Sequence, residues 1–218
     1  MPASKYRFHD HVQLAHYADA ALDIEFEFPF GWKELEGIHS RTDFDLTRHQ
    51  EFSKKKQQYF DNDIDEATGK PYGNYIPYVV ETSIGLDRMF LAVLSNAYEE
   101  EKITKEDGST DERVVLHIPA KIAPVKLAIL PLVKKDGLPE IARELMDSCK
   151  GQFKCFYEEK DAIGKRYRRQ DAIGTPFCVT IDHQTKEDQT VTIRYRDAMT
   201  QERVHISKVK EIVLAAIA

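Results

Sequence analysis

Apolar and acidic residues alternate strictly along DIEFEFPF (23–30), with Ile24, Phe26, Phe28 and Phe30 on one side and Glu25 and Glu27 on the other. Period two predicts a half-buried antiparallel strand, with Pro29 near its end. The residues before it, 14–25, start with helical spacing, and GWKELEGI (31–38) reads as the next strand. Thr42 and Asp43 offer an N-cap for a short helix over 45–52. Residues 53–75 are polar and turn-rich, an excursion that returns into a strand over 76–81, and an apolar helix follows over 85–98. The charged run EEEKITKEDGSTDER (99–113) has Gly108 and Ser109 at its middle and is the expected domain boundary, so that residues 1–112 and 113–218 form two units.

The second half has another rhythm. Strands are expected over 125–132, 153–159, 177–182 and 190–197, and helices over 138–149 and 161–174, with Ser207 capping a last helix to the end. Strands alternating with helices and closing on a hairpin describe a small α/β domain with a mixed sheet flanked by helices. The first half reads as α+β, built on an antiparallel sheet.

Charge sharpens this division. The net charge of −6 splits into 12 Lys and Arg against 23 Asp and Glu over residues 1–112, and 19 against 14 over residues 113–218. A basic half on an acidic protein is the pattern expected of a polyanion-binding domain. Three cysteines without CxxC spacing point to reduced core thiols and a cytoplasmic compartment. No apolar run approaches membrane-spanning length, so no membrane partner is expected. His9, His11 and His16 lie close together, but without an HExxH arrangement they read as surface or core histidines.

Candidate chemistry gathers at one junction. In YVVETSIGLDR (78–88), Glu81 and Ser83 are two apart on a strand and share a face, and a helix begins just beyond Gly85 with Arg88 in its first turn. A carboxylate suits a ligand ammonium; an arginine at a helix N-terminus suits a phosphate or the face of a purine. The competing reading is that Ser83 caps the helix while Asp87 and Arg88 are solvated. In GWKELEGI, Trp32, Glu34 and Glu36 would share a face, and adjacent carboxylates need a cation between them: Mg²⁺, an ammonium, or a salt bridge to Arg41 or Lys33. In IGKRYRRQD, Lys165, Arg166, Arg168 and Arg169 surround Tyr167, which suits phosphate contact with base stacking or equally a solvated helix face. There is no GxxxxGK[ST] loop, GxSxG elbow or plausible Cys–His pair.

FPFGWKELEGIHSRTDFDLTRH, YVVETSIGLDR and VKLAILPLVKKDGLPEIARELM…FYEEKDAIGKRYRRQDAIGTPFCVTIDHQT, taken in order, closely resemble glycyl-tRNA synthetase of the single-polypeptide, homodimeric class II type. ETSIGLDR looks like motif 3 of that class, whose arginine lies over the adenine of ATP, and the second half looks like the family's anticodon-binding domain. The resemblance implies glycine contacts from Glu81, Thr82, Ser83, Ile84 and Gly85. It implies ATP contacts from Glu34, Leu35, Gly85, Leu86, Asp87 and Arg88, with Glu34 acting on Mg²⁺ and Glu36 a lesser contributor. Partners would be glycine, ATP and tRNA(Gly), the last met by Lys165, Arg166, Arg168 and Arg169.

Thr82 stands where the family has proline. No stretch resembles motif 1, which forms the dimer, or motif 2, whose arginine grips the α-phosphate. The expectation is therefore the C-terminal portion of a glycine–tRNA ligase, inactive alone, with the homodimer a property of the full-length enzyme. The rival expectation is a non-catalytic tRNA-binding fragment or a synthetase-like accessory subunit.

Overall fold

A computed structural model describes residues 1–104, 108 and 110–218. Contacts divide the chain into two compact units, Met1–Ser95 and Asn96–Ala218.

The first unit is built on a four-stranded, wholly antiparallel sheet in the order β1-β2-β3-β6: β1 (Tyr6–Asp10), β2 (Ala20–Phe28), β3 (Gly31–Ser40) and β6 (Val80–Ile84). The predicted alternation holds where it matters: Phe26 and Phe28 are buried, packing with Leu35 and with Ala92 of helix α2 (Leu86–Ala97). Phe30 falls in the turn after β2 and is 63% exposed. The helical start expected at 14–25 is absent; residues 14–19 are irregular and turn, and 20–25 already lie in β2, whose period-two pattern overrides the local spacing. The strand expected at 76–81 lies later, at β6. The short helix is α1 (Phe44–Ser53), with Thr42 at φ 55° before it. The polar excursion folds into a hairpin, β4 (Tyr59–Asp65) with β5 (Lys70–Tyr75), closed by a turn in which Asp65 accepts from the Ala67 N–H and the Thr68 hydroxyl.

One irregularity changes the carboxylate geometry. Between Ile24 and Glu25 the β2–β3 register slips, so Glu34 lies opposite Glu25 and Glu36 opposite Ile24, with Leu35 the extra residue. Cross-strand partners share a face and neighbours on a strand do not. Glu34 and Glu36 therefore fall on opposite faces, which corrects the expected row of Trp32, Glu34 and Glu36.

The second unit begins with a hairpin, β7 (Tyr98–Thr104) with β8 (Thr110–Leu116). Residues 99–104 and 110–113 of the charged run expected to separate two domains lie on the strands of this hairpin; residues 105–107 and 109 lie outside the described residues. Beyond it a five-stranded mixed sheet runs β10-β9-β11-β12-β13: β9 (Leu127–Pro131), β10 (Cys155–Tyr157), β11 (Phe177–Ile181), β12 (Thr190–Tyr195) and β13 (Gln201–His205). β10, β9 and β11 are parallel, and β12 and β13 are antiparallel additions. Every residue of β9 and β11 is buried, because both faces are covered. Leu127, Ile129, Val179 and Ile181 meet α3 (Leu138–Cys149) and α6 (Val209–Ile217) on one face. Ala128, Leu130 and Cys178 meet Ile163 and Tyr167 of α4 (Ile163–Ala172) on the other.

The linker HQTKEDQ holds a short helix, α5 (His183–Asp188), opened by a capping box between Asp182 and Thr185. Ser207 does not cap the last helix. It lies in a 3₁₀ turn (Ile206–Lys208), where the Ile206 N–H donates to the Gln189 carbonyl and the Ser207 N–H to the His205 ring.

The unit boundary also redistributes charge. Cut after Ser95, the chain has 10 Lys and Arg against 16 Asp and Glu in the first unit, and 21 against 21 in the second. The basic excess expected of the second half is balanced by the acidic β7–β8 hairpin.

Candidate nucleotide and amino-acid site

On the first unit's sheet the ladder lines up one polar face. His9 is opposite Asp23, Asp23 opposite Gly37, and Gly37 opposite Ser83; one step along, Ala21 is opposite His39 and His39 opposite Glu81. Glu81 and Ser83 thus share a face, as their spacing predicted, while Thr82 and Ile84 lie opposite Ile38 and Glu36 on the other. Of the residues 81–85, only Glu81 and Ser83 present side chains on this face.

At the end of β6 the chain passes Gly85 into α2, and a cavity of about 510 Å³ opens there, lined by Glu34, Ser83, Gly85, Leu86, Asp87 and Arg88. A second hollow of about 320 Å³ shares Glu34 and Arg88 and adds Phe28, Phe30, Lys33 and Leu91. Six of the residues singled out in sequence are thus brought to one opening. Leu35 is not among them: the residue is 4% exposed and belongs to the apolar core. A Cβ at Gly85 would meet nothing closer than the Arg88 side chain at 3.7 Å.

Arg88 reaches back across the junction. Its Nη1 donates to the Glu34 backbone carbonyl at 2.7 Å and stands 3.1 Å from the Glu34 carboxylate, with both side chains about half exposed. The salt bridge expected between Glu34 or Glu36 and Arg41 is not formed. Arg41 instead donates to Glu81 at 2.5 Å and grips Asp45 through two bonds, with its guanidinium 4.1 Å from the centre of the Tyr17 ring. Asp45 and then Glu81 raise the Arg41 pKa, and Arg41 in turn holds the Asp45 carboxyl below the usual carboxylate range. The sequence offered Arg41 as a partner for the β3 carboxylates and left its pairing with Glu81 and the Tyr17 ring unseen. The signal lay in the R-x-x-x-D spacing of Arg41 and Asp45, an i,i+4 ion pair leading into α1.

In the second unit the four expected RNA-contacting cations separate. Arg166 is 1% exposed and donates to the carbonyls of Pro131, Leu132 and Glu158, so it is an interior group. Arg169 is bound to Glu158, Asp161 and the Lys160 carbonyl. Arg168 pairs with Asp111 of the hairpin at 2.7 Å and is about one-third exposed. Lys165 is exposed. Tyr167 is turned inward, its hydroxyl 2.6 Å from that of Thr180, and is not a free stacking platform. Beneath α4, Asp171 is fully buried between Arg113 at 3.0 Å and Arg194 at 2.7 and 2.9 Å.

Comparison with known proteins matches this picture. Residues 126–216 match the anticodon binding domain family, which spans the mixed sheet and its helices. The fold is similar to the crystal structure of the RNA binding domain of threonyl-tRNA synthetase from Cryptosporidium parvum Iowa II, with a TM-score of 0.64 at 15% identity, covering 93% of this chain and 44% of that one. The matched stretch of the second unit is therefore of the anticodon binding domain class, and the structural likeness shows the fold.

The chain is 52% identical over 203 residues to the glycine–tRNA ligase of Treponema denticola, covering 92% of this chain and 44% of the relative. It is 52% identical over 211 residues to that of Chlorobaculum tepidum, covering 97% and 42%. The chain belongs to the glycine–tRNA ligase family, and it spans less than half the length of the relatives it matches.

Proposed function

We propose that the chain forms part of a ligase that joins glycine to tRNA(Gly) through glycyl-adenylate, using ATP and Mg²⁺. The first unit supplies one wall of the glycine and ATP pocket; the second binds the anticodon stem-loop. The observation that carries the reading is the cavity at the β6–α2 junction, where a carboxylate (Glu34), a hydroxyl (Ser83), a helix N-terminus and a half-exposed guanidinium (Arg88) converge.

These groups fit their implied ligands. Glu34 is a hard oxygen donor of the kind Mg²⁺ takes, and the cation, when bound, supplies positive charge against the phosphates. Arg88 offers a planar cation to a purine face. Glu81 accepts from the glycine ammonium with the oxygen that Arg41 leaves free, and Ser83 beside it hydrogen-bonds the same small molecule. Arg41 fixes the Glu81 carboxylate in place before substrate arrives, so its orientation costs little on binding. Gly37, opposite Ser83, adds no side chain to this face, where a Cβ would lie 2.9 Å from the His39 ring. Without a motif 2 arginine, this chain by itself leaves the α-phosphate unneutralised and does not form adenylate. In the second unit, Lys165 and Arg168 are the members of the predicted cluster available to RNA; the full-length enzyme is a cytoplasmic homodimer.

The test is titration of the purified chain with tRNA(Gly) and with the same tRNA carrying an altered anticodon, at one fixed salt concentration. Tighter binding to the unaltered tRNA is expected. Equal binding to both, falling steeply with salt, would mean that only phosphates are recognised and would remove the anticodon-reading role.

A further inference from the structure

The β7–β8 hairpin carries a group of side chains with no part in the site above. The ladder places Glu99 and Glu101 two apart on β7, and His117 follows β8 with its N–H bonded to the Ala97 carbonyl at 2.7 Å, extending the same ladder. Their side chains converge. His117 Nε2 is 3.0 Å from Glu101 Oε1 and 3.5 Å from Glu99 Oε2, and one ligand atom from each of the three lies within 4.8 Å of the others. Among the described residues this is the one group of three such side chains so gathered.

From this geometry we infer that Glu99, Glu101 and His117 form a binding site for a divalent transition cation of the zinc type, open to solvent on its fourth side. Four ligands at about 2.0–2.1 Å from such an ion stand roughly 3.3 Å apart along the edges of a tetrahedron. The two nitrogen-to-oxygen separations, 3.0 and 3.5 Å, bracket that value.

The surroundings have the pattern of an outer shell. His117 Nδ1 faces Asp197 Oδ1 at 2.6 Å, from the segment between β12 and β13. With a cation bound at Nε2, the Asp197 carboxylate would orient the ring through Nδ1, the part an outer-shell partner plays for a metal-ligating histidine. Asp197 is itself gripped by two bonds from Arg196. Glu101 uses its far oxygen on Arg113 and keeps the near one for the site. Imidazole with carboxylate oxygens suits zinc, cobalt or nickel better than calcium or magnesium. The exposure of Glu99, at 62%, gives the ion an entry path and leaves a position for water. A bound ion would tie the hairpin, through His117 and Asp197, to the β12–β13 end of the sheet.

The experiment uses the tag-free 218-residue chain stripped with a chelator, titrated with zinc sulfate by calorimetry and with cobalt chloride by visible absorption. One equivalent should bind, with the intense d–d bands of tetrahedral Co²⁺. Glu99→Gln, at an exposed position that leaves the fold intact by circular dichroism, should weaken binding at least about tenfold. Asp197→Asn, which alters only the outer shell, should weaken it roughly 10–100-fold. No binding, or binding undiminished in Glu99→Gln, or a cobalt spectrum dominated by thiolate charge transfer from the cysteines, would each overturn the assignment. His117 would then be an imidazolium held among carboxylates and nothing more.

Discussion

Arg166 and Lys165 are neighbours in one basic cluster, and the structure assigns them opposite work. Arg166 places three hydrogen bonds on backbone carbonyls at the ends of β9 and β10, at 2.7, 3.2 and 3.2 Å, with its side chain sealed from solvent. Burial, and to a lesser extent the charge of Arg169, pulls its pKa down, so part of the gain from these bonds is offset by desolvation. Arg166→Met would leave three interior carbonyls unpaired at about 1–3 kcal/mol each, and the methionine stem would recover packing. The net loss should be about 3 kcal/mol, a large share of the roughly 5–15 kcal/mol that holds a domain folded. With a urea slope of about 2 kcal/mol/M, the midpoint should fall by about 1.5 M. Lys165→Met, at an exposed position, should change stability by under ~0.5 kcal/mol. The assay pairs urea unfolding, followed by far-UV circular dichroism, with tRNA titration at several salt concentrations. The lysine variant should lose a phosphate contact, lowering the slope of log affinity against log salt by roughly 0.7–0.9, whereas the folded arginine variant should keep the wild-type slope. An Arg166→Met protein that unfolds at the wild-type midpoint yet binds tRNA with a reduced slope would refute the reasoning.

Asp171→Asn should destabilise the second unit by about 3–5 kcal/mol, since it strands Arg194 as a buried charge and leaves Arg113 with Glu101 as its one acidic partner, while Arg168→Gln, which breaks the surface pair to Asp111, should cost about 0–1 kcal/mol; thermal unfolding distinguishes them. Asp182 is held below the usual carboxylate range, first by Arg203 and also by the Thr185 cap. Its stabilisation is therefore present above the unfolded pKa of about 4 and is lost as pH falls through the lower folded value. The stability gap between wild type and Asp182→Asn should close over that acid window and be constant from pH 5 to 7. In the full-length ligase, Glu81→Gln should raise the glycine KM and slow adenylate formation, read by pyrophosphate exchange, with tRNA affinity intact; a fall in tRNA affinity would show that the two units do not divide the work as proposed.

Local pattern carried much of this molecule. The period-two run ending at Phe28 located β2, the amphipathic spacing of residues 138–149 coincided with α3, and the largely apolar stretches at 125–132 and 177–182 located β9 and β11 as strands. Alternation and helical spacing are short-range consequences of backbone geometry, so they are legible without any fold. The same is true of Glu81 and Ser83, whose common face follows from their spacing on one strand. Tertiary structure decided what depends on partners distant in sequence. Arg41 lies forty residues from Glu81, and only the β3–β6 pairing brings them together. The slip at Leu35 that parts Glu34 from Glu36 belongs to the register of two strands, not to either alone. The cluster around Arg166 reads as one cationic face, but burial, set by packing against β9 and β10, turned one member into an internal brace and engaged two others with acids. Composition counts charges; only the folded chain decides which of them meet water.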